Sequence, residues 1–265
     1  MFILTRSPTI LILIDGLRPD ALSKAEVPTI NNILQRSVHT FQARTVYPSV
    51  TLPCITSIFL GVPQDVHGTI GNFWNSTDWP APGLIDLIKQ SGGKTAAFYN
   101  WEQLRDISRP GSLDTSVCLN HAESPDLVLG ESDNQVVDVA ISFTSSSWFD
   151  FCFVYLGCLD TAGHRHGWMS PEYLQTLKNA DQCIGRLIKS VPASAHVVIA
   201  SDHGGHDHAH GSEIPEDMSV PLIISSGKLK PGQCVSPVSI LDIAPTVASL
   251  LGLSAPKEWI GKSLI

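Results

Sequence analysis

The 265-residue chain is 43% hydrophobic and 16% charged, the proportions of an ordinary globular protein and not of a disordered or membrane-spanning one. Its 17 Lys and Arg against 25 Asp and Glu give a formal net charge of -8, which excludes a broad basic footprint, so neither stable nucleic-acid binding nor a membrane partner is expected. The length suffices for one large core, and a single domain over residues 1–265 is the expectation.

The apolar run at residues 9–14 is too short for a secretion-signal core and leads directly into Asp15-Gly16. It reads as a buried strand, and the protein as cytoplasmic. Helical patterns follow at 28–38 and 51–60, the first opening on Pro28, and another lies at 83–90. A strand is expected at 94–99, a loop at 105–116 around the turn formers Arg109-Pro-Gly-Ser112, and a helix at 132–143. Strands at 151–157, 196–201 and 220–225, with helices at 171–190 and 239–251, complete the pattern. Continuous hydrophobicity in the strands means that both faces are covered. The alternation specifies an α/β fold, a three-layer α/β/α sandwich with a central, mainly parallel sheet. The six cysteines, Cys54, Cys118, Cys152, Cys158, Cys183 and Cys234, show no zinc-knuckle or redox spacing and read as free buried thiols.

Ligands of open parallel sheets collect at the carboxyl ends of the strands, and three predicted strands end there in metal-binding residue types. The first runs into Asp15, the second into Asp160 with His164 four residues on, and the third into Asp202-His203. One such Asp alone is more often a turn or cap residue. Three at one edge suit zinc, and also manganese or iron, and a pair of such ions can hold both oxygens of a phosphoryl transfer. The tract Gly204-Gly-His-Asp-His-Ala-His-Gly211 offers a further ligand. His210 is preferred because it precedes a glycine turn, with His206 and His208 as alternatives. A nucleophile belongs at a helix N-terminus near the same edge, and Thr51, two residues before Pro53, fits that position, although its local sequence also reads as a plain helix cap.

The ordered set Asp15-Gly16, Pro48-Ser-Val-Thr-Leu-Pro53, Gly61-Val-Pro-Gln-Asp-Val-His-Gly68, Asp160-Thr-Ala-Gly-His-Arg-His-Gly167 and Ser201-Asp-His-Gly204 spans nearly the whole chain. It resembles the nucleotide pyrophosphatase/phosphodiesterase branch of the alkaline phosphatase superfamily. The resemblance implies an alkaline-phosphatase-like fold and hydrolysis of phosphate esters, preferentially phosphodiesters or nucleotide pyrophosphate bonds, through a phosphothreonine intermediate at Thr51. It further implies two divalent ions, zinc first and manganese as the alternative. Asp15, Asp202 and His203 would hold one of them, which would also bind Thr51 as a ligand, and Asp160, His164 and His210 the other. Asn72 and the backbone N–H of Leu52 would serve the phosphoryl oxygens.

In larger members a long insertion separates the last two motif histidines, whereas His203 and His210 here are seven positions apart, so this chain resembles a compact member without the large specificity cap. Arg44 is the one cation between Gln42 and Lys89, which favours a diester over a dianionic monoester. Phe73, Trp74 and Trp79 offer stacking surfaces or packing anchors. Cys54 lacks the Cys-x-Pro-x-Arg context of a sulfatase nucleophile. The partner is therefore a small-molecule phosphate ester. Phosphomonoester or phosphonate hydrolysis on the same core is the alternative, and a metal-binding scaffold without turnover is the non-enzymatic one.

Overall fold

The computed structural model of the chain describes residues 7–74, 79–119, 130–232 and 235–265. Among them, β1 (Thr9–Ile14), β2 (Val38–Arg44), β3 (Thr95–Tyr99), β4 (Thr115–Cys118), β5 (Phe151–Leu156), β6 (His196–Ala200) and β7 (Ser219–Ser225) form one seven-stranded sheet in the order β2-β7-β6-β1-β5-β3-β4. The pairs β6-β1, β1-β5, β5-β3 and β3-β4 are parallel, and β7 runs antiparallel to both of its neighbours.

The helices are α1 (Pro28–Leu34), α2 (Thr51–Leu60), α3 (Gln64–His67), α4 (Leu84–Gln90), α5 (Glu131–Ser146), α6 (Cys158–His166), α7 (Pro171–Ser190), α8 (Pro215–Met218) and α9 (Ile243–Leu250). The period-two alternation of β1 explains the layering: Leu11 and Leu13 enter one core, with Ile55 and Phe59 of α2, Ile88 of α4 and Val247 of α9. Ile10, Ile12 and Ile14 enter the other, with Ile30 of α1, Val137 of α5 and Leu177 of α7. Helices thus cover both faces of a mainly parallel sheet. No helix among the described residues is long and apolar enough to cross a membrane.

Four local expectations are corrected. The helix expected to reach residue 38 stops at Leu34, and β2 starts at Val38 with a mixed burial pattern that no continuous apolar run announces. The expected loop at 105–116 runs into β4, a four-residue strand at the sheet edge. The segment 239–251 opens with a 3-10 turn at Ile240–Asp242, where the Asp242 carboxylate accepts from Ser239 N–H before α9 begins. Cys54, Cys152, Cys158 and Cys183 are buried free thiols as expected, but Cys118 is exposed, and Cys234 lies outside the described residues.

Position, finally, is what the sheet gives the chemistry. β1 lies between β5 and β6, with Ile14 opposite Leu156 and Leu13 opposite Ala200. The next residues of all three strands therefore leave the sheet side by side.

Candidate functional site

Asp15 follows β1 directly and is buried. Gly16 then turns at φ +68, and a Cβ there would come within 3.2 Å of Asp160 Oδ1, so this close approach in a left-handed conformation requires glycine. Asp160 and His164 sit one turn apart on α6, a helix absent from the expected elements, and their i, i+4 spacing puts both on one face with His164 Nε2 3.4 Å from Asp160 Oδ2. Asp202 and His203 follow β6 and are fully buried.

Thr51 is the first residue of α2. The N-cap is Val50, which makes no side-chain cap, so the cap reading of Thr51 does not apply. Its hydroxyl lies instead 3.0 Å from His203 Nε2.

Asp15 and Asp202 each have one carboxylate oxygen held by the protein and one left over. Tyr155 hydroxyl donates to Asp15 Oδ2, and Gly16 N–H donates to Asp202 Oδ1 at 3.3 Å. Asp15 Oδ1, Asp202 Oδ2 and Asp160 Oδ1 have no hydrogen-bond partner. Those three oxygens face ring nitrogens: His203 Nε2 lies 3.2 Å from Asp15 Oδ1 and 3.4 Å from Asp202 Oδ2, and His210 Nε2 lies 3.7 Å from Asp160 Oδ1.

The imidazoles are oriented to match. Nδ1 of His203 donates to Gly204 O at 2.8 Å, that of His210 to Ser49 O at 2.8 Å, and that of His164 to His208 O at 2.9 Å. A carbonyl can only accept, so these tautomers leave the Nε2 lone pairs facing the site. Asp15, Asp202 and His203 bring ligand atoms within 4.8 Å of one another, as do Asp160, His203 and His210. Orphaned buried carboxylate oxygens opposite imidazole lone pairs fit divalent cations, and a site without cations would leave three carboxylates under-compensated.

The electrostatics carry that imbalance. Burial, reinforced by the Asp202 charge, holds the Asp15 carboxyl well above the usual range. Burial and neighbouring carboxylates push Asp160 and Asp202 up to about 7 each. Burial and the adjacent His203 lower His210 to about 2, which keeps the ring neutral as a ligand must be.

Of the three loop histidines, His210 is the one in the cluster, its ring stacked on His203 at 3.8 Å. His206 Nδ1 pairs with the buried Asp217 at 2.8 Å, and the same carboxylate accepts from Ser212 N–H at 2.8 Å, which closes the loop that returns His210. His208 is exposed and bonds His164 O at 3.2 Å. His164 borders Asp160 but belongs to neither compact set, and its side chain is 45% exposed.

Asn72 is carried back to α2, where its Oδ1 accepts from Leu52 N–H at 3.0 Å. Leu52 N–H is therefore engaged by Asn72 and does not face the cavity as a free donor, contrary to expectation, and Asn72 Nδ2 is the remaining donor of the pair. His67 anchors the same loop, its Nδ1 accepting from Thr69 N–H at 3.1 Å and its Nε2 meeting Ser57 Oγ at 2.9 Å.

Asp15, Thr51, Asn72, Asp160, His164 and His210 line one cavity of about 340 Å³. The same cavity is also lined by residues the sequence did not single out, among them Asn100, Trp101, Tyr155 and Arg165. Trp101 stacks near Tyr155 at 6.4 Å and 25°. Trp79 packs against Leu60 and Val62, with Trp74 beside it at 5.9 Å, so these two are anchors, while Phe73 is exposed. Arg165 supplies a cation that the charge count over residues 42–89 did not include.

A family model described as type I phosphodiesterase / nucleotide pyrophosphatase matches residues 9–217. The chain is 28% identical over 291 residues to the human GPI ethanolamine phosphate transferase 2 catalytic subunit, a match covering 97% of this chain and 28% of that protein. It is 36% identical over 209 residues to a 2,3-bisphosphoglycerate-independent phosphoglycerate mutase of Desulforudis audaxviator, covering 77% of this chain and 39% of the mutase. The chain thus spans well under half the length of these curated relatives. Murine ectonucleotide pyrophosphatase / phosphodiesterase 5, solved in an inactive form in complex with AMP, shares the fold at a TM-score of 0.80 and 15% identity, over 94% of this chain and 96% of that one.

Proposed function

The chain belongs to the type I phosphodiesterase / nucleotide pyrophosphatase family, and on that premise we propose that it is a metal-dependent hydrolase of phosphate esters, selective for diesters or nucleotide pyrophosphate bonds, with Thr51 as nucleophile. The observation that carries this reading is the Thr51 hydroxyl, buried at the start of α2 and 3.0 Å from His203 Nε2, beside the orphaned oxygen of Asp15. The relatives bear names of phosphate chemistry, a phosphate transferase and a phosphomutase, and one neighbour holds AMP.

Asp15, Asp202 and His203, one of the compact sets, would hold one divalent ion that also binds Thr51. Asp160, with His164 at 3.4 Å and His210 at 3.7 Å from its carboxylate, would hold the other, with zinc first and manganese second by ligand type. Bound there, such ions supply Lewis-acid charge and lower the pKa of a hydroxyl or water at neutral pH.

The chain's own groups do the rest. Thr51 Oγ1 loses its proton to solvent and attacks phosphorus, and the bond to the leaving oxygen breaks, that oxygen taking a proton from solvent to depart as the alcohol. The remaining ester group stays on Thr51 as a phosphothreonine ester until water displaces it and restores the hydroxyl. Asn72 Nδ2, fixed by the Leu52 bond to its Oδ1, is placed to donate to a non-bridging oxygen. The α2 N-terminus favours the negative charge that collects there.

The test is a rate comparison over a bis-aryl phosphate, an aryl phosphate monoester, an aryl phosphonate ester and an aryl sulfate, each with Zn²⁺ and with Mn²⁺. The diester is expected to be fastest, because Arg165 is one exposed cation at the cavity and a dianion needs more. A monoester rate well above the diester rate would overturn the preference, and no turnover of any of the four would leave the scaffold reading.

A further inference from the structure

Trp168 has no part in the chemistry just described, yet its side chain meets all three segments that carry the candidate ligands. It follows Gly167, which leaves α6 at φ +92, and its backbone N–H donates to Asp207 O at 2.7 Å. The indole is 7% exposed. Its Nε1 donates to Gly16 O at 2.9 Å, a carbonyl that also accepts from the Tyr173 hydroxyl at 2.8 Å. The carbonyl next to Asp15 is thereby fixed from two sides.

The ring also stands edge-on to His164, centroids 5.1 Å apart at 86°, and to His210, 5.9 Å apart at 65°. Two glycines beside candidate ligands leave room for this ring. A Cβ on Gly163, just before His164, would lie 2.7 Å from the indole, and one on Gly205, two residues after His203, would lie 2.1 Å from it. Neither separation is sterically possible without displacing the ring or the backbone.

The same two loops are tied to each other. His164 Nδ1 bonds His208 O at 2.9 Å, and His208 Nδ1 bonds His164 O at 3.2 Å. Met169 at φ 69 and Asp207 at φ 46, both non-glycine residues in the left-handed region, flank the junction. Such backbone persists only where packing over-determines it.

We propose that Trp168 is a positioning residue for the metal centre, its indole setting the spacing between the Asp15-Gly16 turn, α6 and the His203–His210 loop so that the ligands stand preformed. This inference rests on the reading of those residues as metal ligands. A buried or half-buried tryptophan ordinarily finds some acceptor for its N–H, as Trp74 and Trp259 do on the Gln103 and Pro82 carbonyls; what sets Trp168 apart is which groups it meets. Here the N–H is spent on the backbone of one ligand segment and the ring edge on the side chains of two others, which is how outer partners orient ligands.

The test titrates Mn²⁺ and Zn²⁺ by calorimetry into metal-free wild type, Trp168→Phe and Trp168→Leu, and records the thermal midpoint of each in chelator. Wild type is expected to take two ions. Trp168→Phe keeps a ring beside His164 and His210 but loses the N–H, and should bind roughly 10-fold more weakly, while Trp168→Leu loses both and should bind the weaker ion on the order of 100-fold less tightly. A structural role alone moves the midpoints and leaves the isotherms at wild-type affinity, and that result overturns the proposal. Should Trp168→Leu fail to fold, Trp168→Phe decides the matter by the same criterion. Wild type that binds no ion removes the metal reading itself, whereas wild type with two ions and unaltered variants removes only the role of Trp168.

Discussion

Thr51→Ala is expected to lower kcat/KM for a bis-aryl phosphate by roughly 10⁴-fold or more, the scale on which removal of a covalent nucleophile acts. The change deletes one hydroxyl and one methyl at a 4% exposed site, and the first turn of α2 does not depend on them, since Val50 is the N-cap and Cys54 N–H bonds Val50 O at 3.0 Å. Folding should therefore be nearly unaffected, and calorimetric metal binding should stay within a few-fold of wild type, because the carboxylates and imidazoles remain. The comparison is made on metal-replete proteins of matched ion content. Equal rates for the two would remove Thr51 from the mechanism. A lost rate together with lost metal would show that the hydroxyl acts as a ligand and leave its nucleophilic role unsupported.

The second large effect is a stability inversion with pH. In the cation-free protein Asp160 and Asp202 have folded-state values of about 7, and Asp15 is raised as well, against an ordinary carboxylate value of about 3.9 in the unfolded chain. Between those limits these carboxylates bind more protons in the folded state than in the unfolded one and lower stability as pH rises, whereas His210 and His67, lowered to about 2 and about 4, act in the opposite sense up to the ordinary imidazole value. The carboxylate contribution is fully present below about pH 4 and gone above about pH 7. The groups facing these carboxylates are His203, His164, His210 and the Tyr155 hydroxyl, and none of them is a fixed cation.

Saturating divalent metal replaces the protons and stabilises the folded state by mass action, and ions compete best when the carboxylates are ionised. Thermal midpoints in chelator should drop by on the order of 5 °C from pH 6.5 to pH 8, above the range where His210 and His67 protonate in the unfolded chain, while the increment from added Zn²⁺ or Mn²⁺ grows over the same interval. A chelator midpoint that is flat or rises across that window would contradict the buried-charge origin of the site.

The ends of three central strands were legible in the sequence because continuous apolar runs stop abruptly at Asp15, before Asp160 and at Asp202, and a doubly covered sheet leaves few other readings. Edge elements were not. β2 mixes buried and exposed positions and β4 has four residues, so neither carries a run long enough to separate from loop. α6 was missed for a different reason. Its Cys-Leu-Asp-Thr-Ala-Gly-His-Arg-His sequence contains a glycine and little apolar periodicity, and its helicity follows from packing on α7 and the Trp168 ring.

The residues that surround the ligands were beyond reach for a common reason: their roles depend on register between segments far apart in the chain. Tyr155 reaches Asp15 only because β5 lies beside β1 with Ile14 opposite Leu156. Trp101 and Asn100 reach the cavity because β3 lies beyond β5. The engagement of Leu52 N–H by Asn72 likewise could not be read from a spacing of 20 residues. His210 could be chosen over His206 and His208 only by its glycine neighbour, and the physical reason appears in the buried Asp217, which claims His206 and folds the loop back.

The double displacement through Thr51 is tested most directly by the stereochemical course at phosphorus. A P-chiral phosphorothioate diester is hydrolysed by the metal-replete wild type in ¹⁸O-labelled water, and the configuration of the product is read. Two in-line displacements, one by Thr51 and one by water, give net retention, which is the expected result. Net inversion would mean that water attacks phosphorus in a single step, and Thr51 would not be the nucleophile.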